Sequence, residues 1–154
     1  MTWIIIALIL LFILGSITWI MPSPEERRRM RLRNLALQKG FRVKELKGQL
    51  QQQMAKEVGE GRWYIYWCDW PGQMRERAAK LPTLWVVSGQ EPPRDHPVVQ
   101  ALGEKGHVKV EPFDVVYSDA QGIGGIWDER GRTEKLETGL ARLRQASDRL
   151  APTH

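Results

Sequence analysis

Nineteen consecutive residues without a charge, Trp3 to Met21 (WIIIALILLFILGSITWIM), constrain this chain more than any other feature. Gly15, Ser16 and Thr18 alone interrupt the apolar run. At ~1.5 Å of helical rise per residue the run spans roughly 28 Å, close to the ~30 Å hydrocarbon core of a bilayer. Trp3 and Trp19 stand near its two ends, where amphipathic rings settle at headgroup level. Arg27, Arg28, Arg29, Arg31 and Arg33 follow within seven positions. The reading is a membrane anchor with a cationic collar, and a bilayer with anionic headgroups is its first partner.

A cleaved signal peptide fits less well. No Lys or Arg precedes the block, the block exceeds a usual signal core, and no small-x-small cleavage site follows it. The anchor is therefore expected to be retained. The arginines keep their side in the cytoplasm, so the N-terminus points out and the rest of the chain points in, as in a bacterial single-pass inner-membrane protein.

The formal charge of +5 over 154 residues is unevenly placed. Residues 22–47 have a net charge of +6 and the remaining residues sum to −1. The basic character belongs to the segment after the anchor, so nucleic acid is not an expected partner. A single cysteine, Cys68, excludes an internal disulfide and suits a reducing compartment.

Past the anchor, Pro22 and Pro24 break the first helix, and Ser23 is an expected N-cap with Glu25 and Glu26 in the first turn of a second. That helix should run to about Lys39 and stop at Gly40. Two readings use its arginines equally: a helix lying on anionic headgroups, or a solvated signal that only sets topology. Phe41 to Leu46 is a candidate strand, and the Gln-rich stretch from Gly48 to Gly61 is a short helix or a mobile linker. Trp63, Ile65 and Trp67 alternate with Tyr64, Tyr66 and Cys68, which predicts a strand covered at least partly on both faces. Further strands are expected at Leu84–Val87 and among Val108, Val110 and 115–117, with brief helices at 75–81 and 97–102. Gly122 to Gly131 reads as a tight hairpin region because glycine repeats there. Thr133 is the expected cap of a last helix whose Leu136, Leu140, Leu143 and Leu150 form one stripe.

The predicted fold is therefore α+β: one N-terminal transmembrane helix, a basic juxtamembrane helix, then a small mostly antiparallel sheet with a C-terminal amphipathic helix. The expected divisions are an anchor at 1–21, the basic helix at 22–40, a strand and polar linker at 41–61, and a Trp-rich domain at 62–154.

Residues for chemistry are sparse. Cys68 has no partner at ligand spacing, and His96, His107 and His154 form no recognisable pair, so neither metal nor other cofactor is expected. In GIGG at 122–125 no GK[ST] follows the glycines. Asp114, Asp119, Asp128 and Glu129 fall at strand ends and turns, where acids are usually solvated. Tryptophan stands out: of seven, Trp63, Trp67, Trp70, Trp85 and Trp127 lie beyond the anchor. Most should be core; Trp70, just before Pro71-Gly72, is the candidate for an exposed interface anchor. Gly15 and Ser16 are the small residues that would let a partner helix approach the anchor closely.

Pro22, Arg27–Arg29, Arg31, Lys39-Gly40 and Val43 together resemble the layout of YajC, the small single-pass accessory subunit of the bacterial Sec preprotein translocase. The resemblance covers about a quarter of the chain. Phe41 stands where that family usually has an acid, and no Gly-Gly turn follows Val43. It implies an accessory role beside a larger membrane protein complex and assigns no functional residue. The expected function is a non-enzymatic, membrane-anchored accessory or adaptor subunit. The alternative is a membrane-tethered ligand-binding or enzymatic domain, its pocket bordered by the 89–97 loop and the 119–131 hairpin.

Overall fold

The computed structural model of the protein describes residues 1–103 and 107–151. The chain forms two compact units, Met1–Met30 and Arg31–His154.

In the first unit α1 covers Thr2–Ile20, a helix long and apolar enough to cross a membrane and without a buried residue. Its two mid-to-late hydroxyls are satisfied internally: Ser16 donates to the Phe12 carbonyl and Thr18 to that of Gly15, both at 2.8 Å. Such local bonds are what an apolar solvent demands of polar side chains. Met21 turns extended, as the residue before a proline must.

The next helix, α2, covers Pro24–Gln38. Its start is the expected one, a reciprocal capping box: the Glu26 amide donates to Ser23 Oγ at 3.2 Å and the Ser23 amide to Glu26 Oε2 at 2.9 Å. Its end is a Schellman turn. Gly40 adopts φ +80, its amide donates to Leu37, and the Phe41 amide reaches back to Ala36.

The second unit is α+β. Five strands, β1 (Arg42–Glu45), β2 (Tyr64–Asp69), β3 (Leu84–Val87), β4 (Val115–Ser118) and β5 (Gly122–Trp127), form one antiparallel sheet in the order β1-β2-β5-β4-β3. Between them lie α3 (Gln49–Glu57), a 3₁₀ turn at Gly72–Met74 leading into α4 (Arg75–Ala78), and α5 (Pro97–Leu102); α6 (Thr133–Leu150) ends the described fold. The alternation of β2 is read correctly from the sequence, because its two faces feed two cores. Tyr64, Tyr66 and Cys68 join Leu32 and Ala36 of α2, α5 and the leucine stripe of α6. Ile65 and Trp67 lie on the opposite face with Leu46, Met54 of α3, Val115 and Ile126.

Four expectations change. The segment at 41–61 is no linker outside the domain: β1 pairs with β2 along its whole length, and Met54 is buried. The fold therefore begins within α2, where Leu32 and Ala36 are 0% exposed, rather than at residue 62. Val108 and Val110 are buried but lie outside any strand. Thr133 begins α6 without capping it; Arg132 holds the cap position with no side-chain bond.

The glycines of 122–125 are the largest departure. They build the central strand, all six of whose residues are buried, instead of a turn. A Cβ on Gly124 would come within 2.9 Å of the Trp67 ring, and one on Gly125 would overlap the Phe113 ring on the other face. Glycine is here because large rings lie flat across both sides of the strand.

Candidate functional site

The collar residues fall into two groups. Arg28 and Arg29 both pair with Glu25, at 2.7 and 3.3 Å, and Arg27 donates to the Pro22 carbonyl. The hydrogen bond from Arg28, then the neighbouring arginine charges, hold the Glu25 carboxyl below its ordinary range. Arg27 and Arg31 stay exposed. Arg33, partly exposed, is engaged within the domain instead. Its guanidinium makes a bidentate pair with Glu129 at 2.9 and 2.8 Å and lies over the Tyr64 ring, 4.6 Å from the centroid.

Glu129, expected as a solvated turn acid, is the residue that sequence reasoning misplaced. It is 0% exposed, sits at φ +62, and also accepts the Tyr66 hydroxyl at 2.9 Å. Burial, then the Glu129 charge, pushes the Tyr66 phenol well above its ordinary value, so it remains a donor. The hydrogen bond to Glu129 also raises the Arg33 guanidinium above its ordinary value. A buried carboxylate with a bidentate guanidinium and a phenol is satisfied as an anion, and the cluster secures α2 to the sheet end. The one available signal was Arg33 itself, an arginine on the same helix as the buried Leu32 and Ala36.

Trp70 also moves inward. It is 2% exposed and its Nε1 donates to the Asp119 carbonyl at 2.8 Å, so it is a core residue and no exposed anchor. Gly15 and Ser16 lie on an α1 face with Leu8, Leu11, Phe12 and Trp19, and no atom stands within 4 Å of a Cβ built on Gly15. Cys68 is buried, which raises its thiol pKa and suits a core side chain. His96 caps α5, accepting the Val98 amide while its Nε2 meets the Pro82 carbonyl at 2.8 Å. His154 lies outside the described residues.

The α3 face of the sheet supplies the site, along the row that stays partly exposed. In register, Arg42, Trp67, Gly124, Tyr117 and Trp85 form one row across all five strands. The Trp67 and Tyr117 rings meet over Gly124, centroids 5.8 Å apart, and Trp85 stands edge-on to Tyr117 at 6.1 Å. All three rings are only partly buried. A carboxylate holds each polar tip: Trp67 Nε1 donates to Asp69 at 3.0 Å, Tyr117 to Asp119 at 3.2 Å, and Trp85 Nε1 to Glu57 at 2.7 Å. Arg42 pairs with Asp69. Partial burial, then Asp119, raises the Tyr117 phenol. The row is an aromatic shelf of tilted and edge-on rings with acids along its margin. Past the end of β2, at the β4–β5 turn, a polar recess of about 320 Å³ is lined by Asp69, Arg75, Ala120 and Gln121, and the 89–97 loop contributes nothing to that lining. Among the described residues no group of three His, Cys, Asp or Glu side chains converges as a metal site.

Comparisons with models of protein families, with curated proteins and with solved structures give no match to this chain.

Proposed function

We propose that this protein is a non-enzymatic, membrane-anchored accessory or adaptor module of a larger inner-membrane assembly. In this reading α1 is retained in the bilayer with the N-terminus outside, and the α+β domain works in the cytoplasm. The observation that carries it is the half-exposed shelf of Trp67, Tyr117 and Trp85 in a chain that also holds a membrane-length helix. Aromatic patches rimmed by polar groups mark protein interfaces on soluble domains. The YajC-like layout of the first quarter makes the preprotein translocase the first assembly to test.

Mild detergent extraction followed by affinity capture and mass spectrometry checks the reading. A defined membrane complex is the expected result; a protein that always runs alone as a monomer overturns it. If α1 itself meets a partner helix, Gly15→Leu fills the open position beside Ser16 and should weaken the captured complex about tenfold. An unchanged complex removes that contact from the proposal.

The alternative, a tethered ligand-binding or enzymatic domain, draws on concavities such as the recess at Asp69 and Arg75 and the larger groove between Lys39, Phe41 and α6. In the recess Asp69 is already engaged by Arg42 and Trp67, which favours the adaptor.

A further inference from the structure

We propose that the shelf binds a cationic, extended segment of the partner protein, added as a sixth strand along the outer edge of β3. An arginine or lysine of that segment sits beside Trp85 and Glu57. This rests on the adaptor reading and names the docking surface and its chemistry.

Backbone geometry opens the edge at Trp85. Past Val87 the edge is already engaged, the Gln90 amide on the Val87 carbonyl at 3.0 Å and the Gly89 amide on the Val108 carbonyl at 3.3 Å, so Trp85 is the position that can take a partner strand. β3 is the last strand of the sheet. The Ser88 amide donates to the Asp114 carbonyl at 2.7 Å, so in antiparallel alternation Val86 and Leu84 turn their peptide groups toward β4. Trp85 turns its own N–H and C=O away from β4, where an added strand would take them up. A side chain on that strand opposite Trp85 extends the cross-strand row by one place.

Charge decides what that side chain is. At the β1 end the chain places its own guanidinium, Arg42, next to Trp67 and pairs it with Asp69. At the β3 end the acids Asp119 and Glu57 hold the tips of Tyr117 and Trp85, and among the described residues neither has an ion-pair partner. A cation beside an indole face and a carboxylate gains from both. A strand laid along β3 crosses the end of the row and meets it at Trp85, and its backbone pairing is what a small cation cannot supply. The carboxylates also disfavour phosphate-bearing partners, so a nucleic acid or an anionic lipid is not the occupant.

The test uses the full chain in detergent micelles with blocked peptides of about eight residues, long enough for one strand: alternating Arg-Thr, alternating Glu-Thr, and argininamide alone. Tryptophan fluorescence and calorimetry follow binding. The Arg-Thr peptide should bind at least about tenfold more tightly than either comparison probe, with affinity falling as salt rises. Glu57→Gln, at an exposed side chain that does not endanger the fold, should weaken it about fivefold, and Trp85→Thr should abolish it. Equal binding of the Glu-Thr peptide, equal binding of argininamide, or no binding of any probe overturns the proposal. Capture from membranes with Trp85→Thr separates the two readings. A complex retained by that variant moves docking away from the shelf and leaves the adaptor standing, whereas no complex with either protein fails the adaptor itself.

Discussion

Glu129 lies in the run Asp128-Glu129-Arg130-Gly131, a sequence context typical of a solvated turn, yet it is fully buried, with Arg33 donating to both carboxylate oxygens and the Tyr66 hydroxyl donating to Oε1. Glu129→Gln keeps the shape and removes the charge that satisfies a buried guanidinium contact. Since Arg33 is part-exposed, the cost should be about 2 kcal/mol, below the range for wholly buried pairs; denaturant unfolding measures it, and an unchanged midpoint contradicts the role given to the pair. Asp114 offers the opposite sign. Burial first, and then the Asp128 charge, raise its carboxyl in the folded state. A raised acid favours folding only while protonated, so its contribution is present below the ordinary carboxylate pKa and is lost as pH rises through the higher folded value. Asp114→Asn should therefore be the more stable protein at neutral pH, by less than about 1 kcal/mol after solvent screening, and the gain should vanish near pH 3. Paired unfolding curves at the two pH values decide it.

Among the elements, β5 depends most on what its residues lack. Gly124 leaves room for Trp67 to meet Tyr117 across the shelf, while Gly125 receives Phe113 on the core face. Gly125→Ala should destabilise the domain by about 3 kcal/mol, because an aromatic ring packed against Tyr66 and Trp127 cannot step aside without opening the core. A thermal shift of under a degree would show that the ring yields. The other informative element is α2. Its Ser23 cap, its arginines and its stop at Gly40 were legible, since each depends on residues a few positions apart; the reciprocal Glu26 bond and the Schellman geometry came from the structure. Its membership of the domain core was not, because Leu32 and Ala36 meet partners far along the chain.

For the whole molecule, the proposed arrangement is directional. A reporter enzyme that needs the oxidising outer compartment should be inactive when fused after the C-terminus, and a cytoplasmic fluorescent reporter should light up there. The reverse pattern would overturn the proposed topology, and the cytoplasmic adaptor with it.

The sequence by itself determined what depends on local pattern: the membrane-length helix, the capped basic helix after it, the two-faced aromatic strand, the leucine stripe of α6 and the α+β class. These follow from hydrophobic period and capping chemistry, which act over a few residues. Tertiary structure alone decided that Arg33 serves Glu129 instead of the collar, that Trp70 is core, and that glycine 122–125 is a strand under rings. It also decided that Trp67, Tyr117 and Trp85 share one row, because strand order and register bring together residues up to fifty positions apart. No spacing in the chain encodes that neighbourhood; the pairing of five strands does.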